Sequence, residues 1–195
     1  MNKASPLRKQ QQRGLDSARK LLEAATFLFV EKGFDETTID EIVLRAGSAK
    51  GTFYHHYESK AALLVALREK VIDHFQEHID QALSNCPDDA LELKLETWVS
   101  AACDAYARIG TLHDIVFGNC GSRWTVSDEI FMKGLAALLE EGHRKKIWTA
   151  EVPDVTATYI FRGMLGIIDD LIVTSKTVTT VGEEMSVLAR RTVGL

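Results

Sequence analysis

The sequence predicts an all-α chain in two parts: a small N-terminal three-helix domain containing a helix-turn-helix, residues 1–62, then a larger helical domain, residues 63–195. Three observations carry this. Apolar residues recur at helical spacing through nearly the whole chain. Prolines stand only at positions 6, 87 and 153, and the last two fall where long periodic segments break. A glycine turn separates two very short apolar stripes between residues 38 and 57.

In the first segment Ala18, Leu21, Leu22, Ala25, Leu28 and Phe29 form one face, with Asp16 or Ser17 as the expected cap and Gly33 as the stop. Thr38 followed by Glu41 makes a capping box ahead of Ile39, Ile42, Val43 and Ala46, and Gly47 ends this second helix. Ala49, Phe53 and Tyr57 recur every four residues in a short third helix. Ser59 caps a long fourth one with Leu64, Leu67, Val71, Phe75 and Ile79 on its buried face. After the linker "NCPDD" a helix carries Leu91, Leu95, Trp98, Val99, Ala102 and Tyr106, and Gly110 ends it. The glycine-bounded "GTLHDIVFGNCGSRW" follows, then a helix from about Ser127 to the basic "HRKKIW". Residues 154–175 read as apolar on almost every side, and a last stripe lies between Gly182 and Arg191.

Composition excludes several classes. With 46% hydrophobic and 26% charged residues the chain is neither disordered nor collagenous. No apolar run approaches the roughly 18 residues of a membrane helix, and the first fifteen residues lack a signal-peptide core, so a cytoplasmic protein with no membrane partner is expected. Cys86, Cys103 and Cys120 are scattered without a CxxC pair, which indicates neither a disulfide framework nor a zinc site. His74 and His78 stand i, i+4 but lack both the HExxH order and a third ligand, and are read as a solvated helix face. No cofactor or metal is expected.

Charge distribution points further. The net charge of -5 is uneven: residues 1–60 hold ten Lys/Arg against eight Asp/Glu, residues 61–195 thirteen against twenty. Lys3, Arg8, Lys9 and Arg13 precede any acidic residue. A protein that meets phosphates at one end only would have this distribution. If Ala49, Phe53 and Tyr57 face the core, Lys50, Thr52, Tyr54, His55 and His56 fall on other faces of the same helix. Lysine can donate to guanine or phosphate, threonine can use its hydroxyl or touch a thymine methyl, and tyrosine and histidine can donate to phosphate oxygens. Gly51 would let the backbone approach a duplex, and Lys60 would add a cation in the first turn of the fourth helix.

The stretch "EAATFLFVEKGFDETTIDEIVLRAGSAKGTFYHHYESKAALLVAL", residues 23–67, closely resembles the DNA-binding domain of the tetracycline-repressor (TetR) family of transcriptional regulators. The resemblance covers about a third of the chain and rests on a G-x-x-K-G-T-x-Y-x-x-[FY]-x-x-K core. It implies phosphate contacts at Thr38, Tyr54 and Lys60, base-reading positions at Lys50, Gly51, Thr52, His55 and His56, and core positions at Phe53 and Tyr57. Two departures stand out: Ser48-Ala49 replaces the usual valine and hydroxyl residue after the turn glycine, and Val43 stands where alanine is usual. Ser48 could cap the third helix early, or the cap could be weak.

A helix apolar all round must be covered on both faces, and Phe161, Leu165, Ile168 and Ile172, with Met185 and Leu188 of the last helix, are expected at a four-helix homodimer interface. A dimer implies a palindromic or near-palindromic double-stranded operator with half-sites read roughly 34 to 36 Å apart, or more widely where the DNA is distorted. The resemblance also implies a small-molecule effector in the second domain, with Trp98, Tyr106, His113, Phe117, Trp124 and Phe131 as candidate walls and Arg162 or Asp169 as candidate anchors. The expected role is thus a ligand-released repressor. A thiol-based redox regulator using Cys103 or Cys120 is the nearest alternative, and an enzyme is remote, since no phosphate loop, nucleophile elbow or metal triad is present.

Overall fold

The computed structural model describes residues 6–117, 126–149, 151–174 and 181–195, with side chains at 6–11, 111, 114, 126–130, 172 and 173 left aside. Trp124 and Cys120, and the side chain of Ile172, therefore lie outside the described residues. Eight helices appear among the described residues: α1 Pro6–Lys32, α2 Ile39–Arg45, α3 Lys50–His56, α4 Lys60–Leu83, α5 Leu91–Phe117, α6 Val126–Arg144, α7 Pro153–Val173 and α8 Val181–Val193. None is long and apolar enough to cross a membrane.

The chain divides into two compact units, residues 1–70 with 111–119, and residues 71–110 with 120–195. The division falls inside α4, eight residues beyond the sequence-based boundary at 62, and returns inside α5 at Gly110. The crossing in α4 falls within a continuous apolar stripe and has no sign in linker chemistry, whereas the one in α5 falls at the glycine expected to end that helix.

In the first unit Leu21, Ala25, Leu28 and Phe29 of α1, Ile42 and Val43 of α2, Phe53 of α3 and Leu63, Leu64 and Leu67 of α4 form one core, joined by Val116 from the end of α5. Helix α1 begins at Pro6, upstream of the expected caps at Asp16 and Ser17. Proline suits a first helical position, and the Gln- and Arg-rich arm supplies good helix formers behind it. Ser17 instead sits mid-helix, its hydroxyl bonded 2.8 Å back to the Gly14 carbonyl. The capping box of α2 is present as expected, with Thr38 and Glu41 bonded reciprocally. Ala49 is the N-cap of α3 and makes no side-chain bond, so the cap is weak, and Ala49 is exposed where its spacing had suggested the core.

The second unit packs α4's last turns, the first part of α5, and α6 to α8 around Phe75, Trp98, Phe131, Leu135, Phe161, Met164 and Ile168. Helix α8 lies close on α5 because Gly182 has no Cβ; one there would stand 2.9 Å from the Ser100 hydroxyl. Ser186 donates to the carbonyls of Glu96 and Gly182, and Arg190 pairs with Glu92 and Glu96. Helix α7 is not apolar all round in use: Ala157, Ile160, Phe161, Met164, Leu165 and Ile168 are buried, whereas Val155, Tyr159 and Ile167 are exposed. Phe161, Leu165, Ile168 and Met185, expected at a dimer interface, are spent inside the chain's own core. Their side chains fill the space between α5, α6 and α8, which a stripe read from one helix cannot foresee.

Gly110 interrupts α5 with φ 39° and ψ -123°, a conformation that side chains strongly disfavour. Gly110→Ala should therefore destabilise the protein by roughly 1–3 kcal/mol, although a Cβ there would meet no neighbour. Gly14→Ala, helical and equally unobstructed, should stabilise by about 0.5–1 kcal/mol. Denaturant melts of the two variants against the parent chain read both signs.

Candidate nucleic-acid interface and sensing core

The surface around α3 follows from one buried ring. Phe53 is wholly buried and fixes the roll of the seven-residue helix, which leaves Lys50, Gly51, Tyr54 and His55 exposed and Thr52 half-buried. A Cβ on Gly51 would meet nothing, so the backbone there is open to a close visitor. Lys50 and Tyr54 share one face at i, i+4 spacing. The Lys50 ammonium lies 2.7 Å from the Asp40 carboxylate of α2.

Three of the sequence-predicted positions have other employment. Lys60 donates to the carbonyls of Phe34, Asp35 and Thr37 at 2.5, 3.1 and 2.7 Å and lies over the Phe34 ring. An ammonium has three N–H donors, so these bonds saturate it and Lys60 is a clamp on the α1–α2 loop rather than a waiting phosphate ligand. The Thr38 hydroxyl donates 2.8 Å to Glu41 while accepting from the Glu41 amide, which occupies it inside the capping box. Lys32 and the cap bonds hold the Glu41 carboxyl down at about 2. His56 lies 2.7 Å from Ser17, and since Ser17 gives its own proton to Gly14, the imidazole N–H is the donor. Burial first, and the charge of neighbouring His55 after it, push the His56 pKa down. His56 thus ties the end of α3 to α1 and is not presented with His55.

Sequence reasoning missed Asp40, Ser17 and Arg68. The Arg68 Nε and Nη2 donate at 3.0 and 2.7 Å to the Val116 carbonyl, at the C-terminal end of α5, where orphan carbonyls seek donors. No periodicity links residues 48 positions apart, so only the fold exposes this pair.

The candidate pocket residues separate. Trp98, Tyr106 and Phe131 meet in the second unit's core, with Phe131 near both Phe75 and Phe161. Tyr106 donates 2.8 Å to Asp169, and Arg162 is half-buried on α7. His113 and Phe117 instead belong to the first unit, where Phe117 packs on its core under Arg68. The kink at Gly110 is the reason: it sends the two parts of α5 into different cores. Trp98 is buried, and among the described residues its indole N–H meets no acceptor; a Cβ on Gly134 would lie 3.7 Å from its nitrogen. Among the described residues no three His, Cys, Asp or Glu side chains gather as a metal site. Burial, then the charge of Asp104, push the Cys103 thiol up to about 12.

A helix-turn-helix with an open glycine and a polar reading face defines a nucleic-acid-binding class of domain. Residues 21–67 match the family described as bacterial regulatory proteins, tetR family. The helix-turn-helix transcriptional regulator YvdT of Bacillus subtilis, itself uncharacterised, is 41% identical over 69 residues, 35% of this chain and 36% of YvdT. The transcriptional regulator AcuR of Cereibacter sphaeroides is 29% identical over 127 residues, 65% of this chain and 58% of AcuR. The chain thus spans less than two thirds of these relatives. The fatty acid degradation regulator FadR of Bacillus halodurans shares the all-α fold over 96% of both chains, with a TM-score of 0.74 at 19% identity.

Lys60→Met should lower unfolding stability by roughly 1.5–3 kcal/mol, as expected for lost bonds to a charged donor, in urea titrations. In duplex binding the variant should keep the parent's slope of log affinity against log salt, because no phosphate partner is lost. Cys103 should stay unmodified by iodoacetamide at pH 8 in the folded chain, with a thiolate fraction of about one in ten thousand, and react on unfolding; mass spectrometry of the labelled peptides reads this.

Proposed function

We propose that the chain is a homodimeric DNA-binding transcriptional repressor that leaves a palindromic operator when a small molecule occupies its second unit. The observation that carries the DNA-binding part is the face of α3: Phe53 anchored inside, and Lys50, Gly51, Tyr54 and His55 turned outward with Thr52 beside them. This set supplies donors for guanine and phosphate and an unobstructed backbone. Tyr54, half exposed, is the best remaining phosphate donor, since Thr38 and Lys60 are already bonded.

Dimerisation rests on the exposed stripe of α7. Val155, Tyr159, Gly163 and Ile167 recur every four residues, and Val187 and Leu188 are exposed on α8, which packs against α7. Such a run of large exposed apolar groups is what a second copy would cover. Of the interface residues expected from the sequence, Leu188 is exposed on α8.

Control by a ligand is supported by α5, whose first part lies in the core of the second unit with Trp98 and Tyr106 and whose end lies in the core of the first with Val116. A ligand that prefers one arrangement of the first part shifts the population of arrangements at the end, by no more than its difference in affinity. The Trp98 N–H, without an acceptor among the described residues, favours an apolar molecule bearing a hydrogen-bond acceptor. Fatty acids and their derivatives, the compounds whose degradation the similar FadR protein regulates, meet that description. A redox mechanism through Cys103 has no support in its burial.

Selection on random duplex DNA at near-physiological salt tests this reading. The parent chain should enrich a palindrome, and Ile167→Glu should yield a monomer in sedimentation that binds the same duplex at least tenfold more weakly. Enrichment of no sequence by the parent chain would sink the proposal.

A further inference from the structure

The Asp40–Lys50 pair is the least expected contact on the reading face. Asp40 stands in the first turn of α2 and Lys50 opens α3, so the bond joins the two helices of the motif at their N-terminal ends. The side chains are 71% and 53% exposed, too open for the pair to contribute much to folding. What the pair does decide is where the ammonium is. The other cations around the motif are committed differently: Lys32 to Glu41, Lys60 to backbone carbonyls, and Arg45 over the Phe27 ring. Lys50 alone among these four lies on the outward face of α3.

We propose that Asp40 is a specificity-determining residue: it positions Lys50 to donate to guanine and penalises its use as a phosphate contact. This rests on the DNA-binding reading above. The Lys50 ammonium carries three N–H groups. One is committed to Asp40 at 2.7 Å, which leaves two, the number guanine O6 and N7 accept in the major groove. Guanine's acceptors are neutral, so Lys50 can serve them and keep Asp40. A phosphate oxygen at the same ammonium would bring a second anion within a few ångströms of the Asp40 carboxylate. Either the phosphate is repelled or the existing ion pair must break first. Asp40 thus removes Lys50 from the sequence-independent attraction that every duplex offers, and leaves it for the sites that present guanine at the right place. The Asp40 hydrogen bond, and its charge after that, hold Lys50 firmly protonated, and Tyr54 adds a smaller contribution of the same sign.

Asp40→Asn keeps the size and an acceptor while removing the charge. Binding to the selected operator and to random duplex is measured for the parent, Asp40→Asn, and Asp40→Asn with Lys50→Gln, each over a series of salt concentrations, with thermal melting to confirm folding. Asp40→Asn is expected to bind random duplex on the order of tenfold more tightly, with the salt slope steeper by about 0.9, the mark of one added phosphate contact. The ratio of operator to random affinity falls accordingly, and adding Lys50→Gln abolishes the gain. Unchanged random-duplex affinity and slope in folded Asp40→Asn would overturn the proposal. So would equal weakening on both duplexes, which marks Asp40 as support for the motif, or a gain that survives Lys50→Gln. Failure of the parent chain to prefer any sequence would instead overturn the underlying DNA-binding reading, so the two failures are distinct.

Discussion

The first unit depends on one ammonium. Between Gly33 and Thr38 the chain turns from α1 to α2 through a loop whose carbonyls have no helical donors. Lys60 supplies three of the missing bonds from the first turn of α4, and the Thr37 hydroxyl closes the loop from inside by donating to Leu28 and Gly33. With the loop held, the Thr38–Glu41 capping box is set at the start of α2, and α2 and α1 together form the wall against which Phe53 is buried. Every outward-facing group of α3 inherits its direction from that chain of contacts. A lysine placed this way sets the face of a helix it does not belong to.

The reading face is also shaped by what is withheld from it. His56 is turned inward to Ser17, Thr38 is enclosed with Glu41, and Lys50 carries an acidic companion. A surface meant only for affinity would leave these donors free. Here the groups left open are a glycine, a tyrosine and one histidine, with a lysine already partnered to an acid.

The two cores answer to different demands. The first is built mainly from Leu, Ile, Val and Ala around two phenylalanines and is tied internally by Arg68 to Val116. The second gathers Trp98, Phe75, Phe131 and Phe161, large rings among which the Trp98 indole N–H meets no acceptor among the described residues. A buried indole N–H without an acceptor costs free energy, and a ligand that satisfies it recovers that cost, which is a physical basis for affinity in an otherwise apolar interior.

Local chemistry made much of this legible in the sequence. Periodicity identified the buried faces of α1, α2, α4 and α5, the capping box placed α2, and Gly110 announced the break in α5, because each of these is set by neighbours within about one helical turn. The exposed face of α3 was legible for the same reason, through Lys50, Gly51, Tyr54 and His55, with Thr52 half-buried beside them. Tertiary structure alone decided what each polar group is bonded to and which apolar stripe is spare. Lys60 meets carbonyls 23 to 26 residues away, and His56 meets Ser17 at a separation of 39. Phe161 and Leu165 are taken by the chain's own core while Tyr159 and Ile167 are left outside. A helix states how many faces are apolar; its neighbours determine which of them remains for a partner.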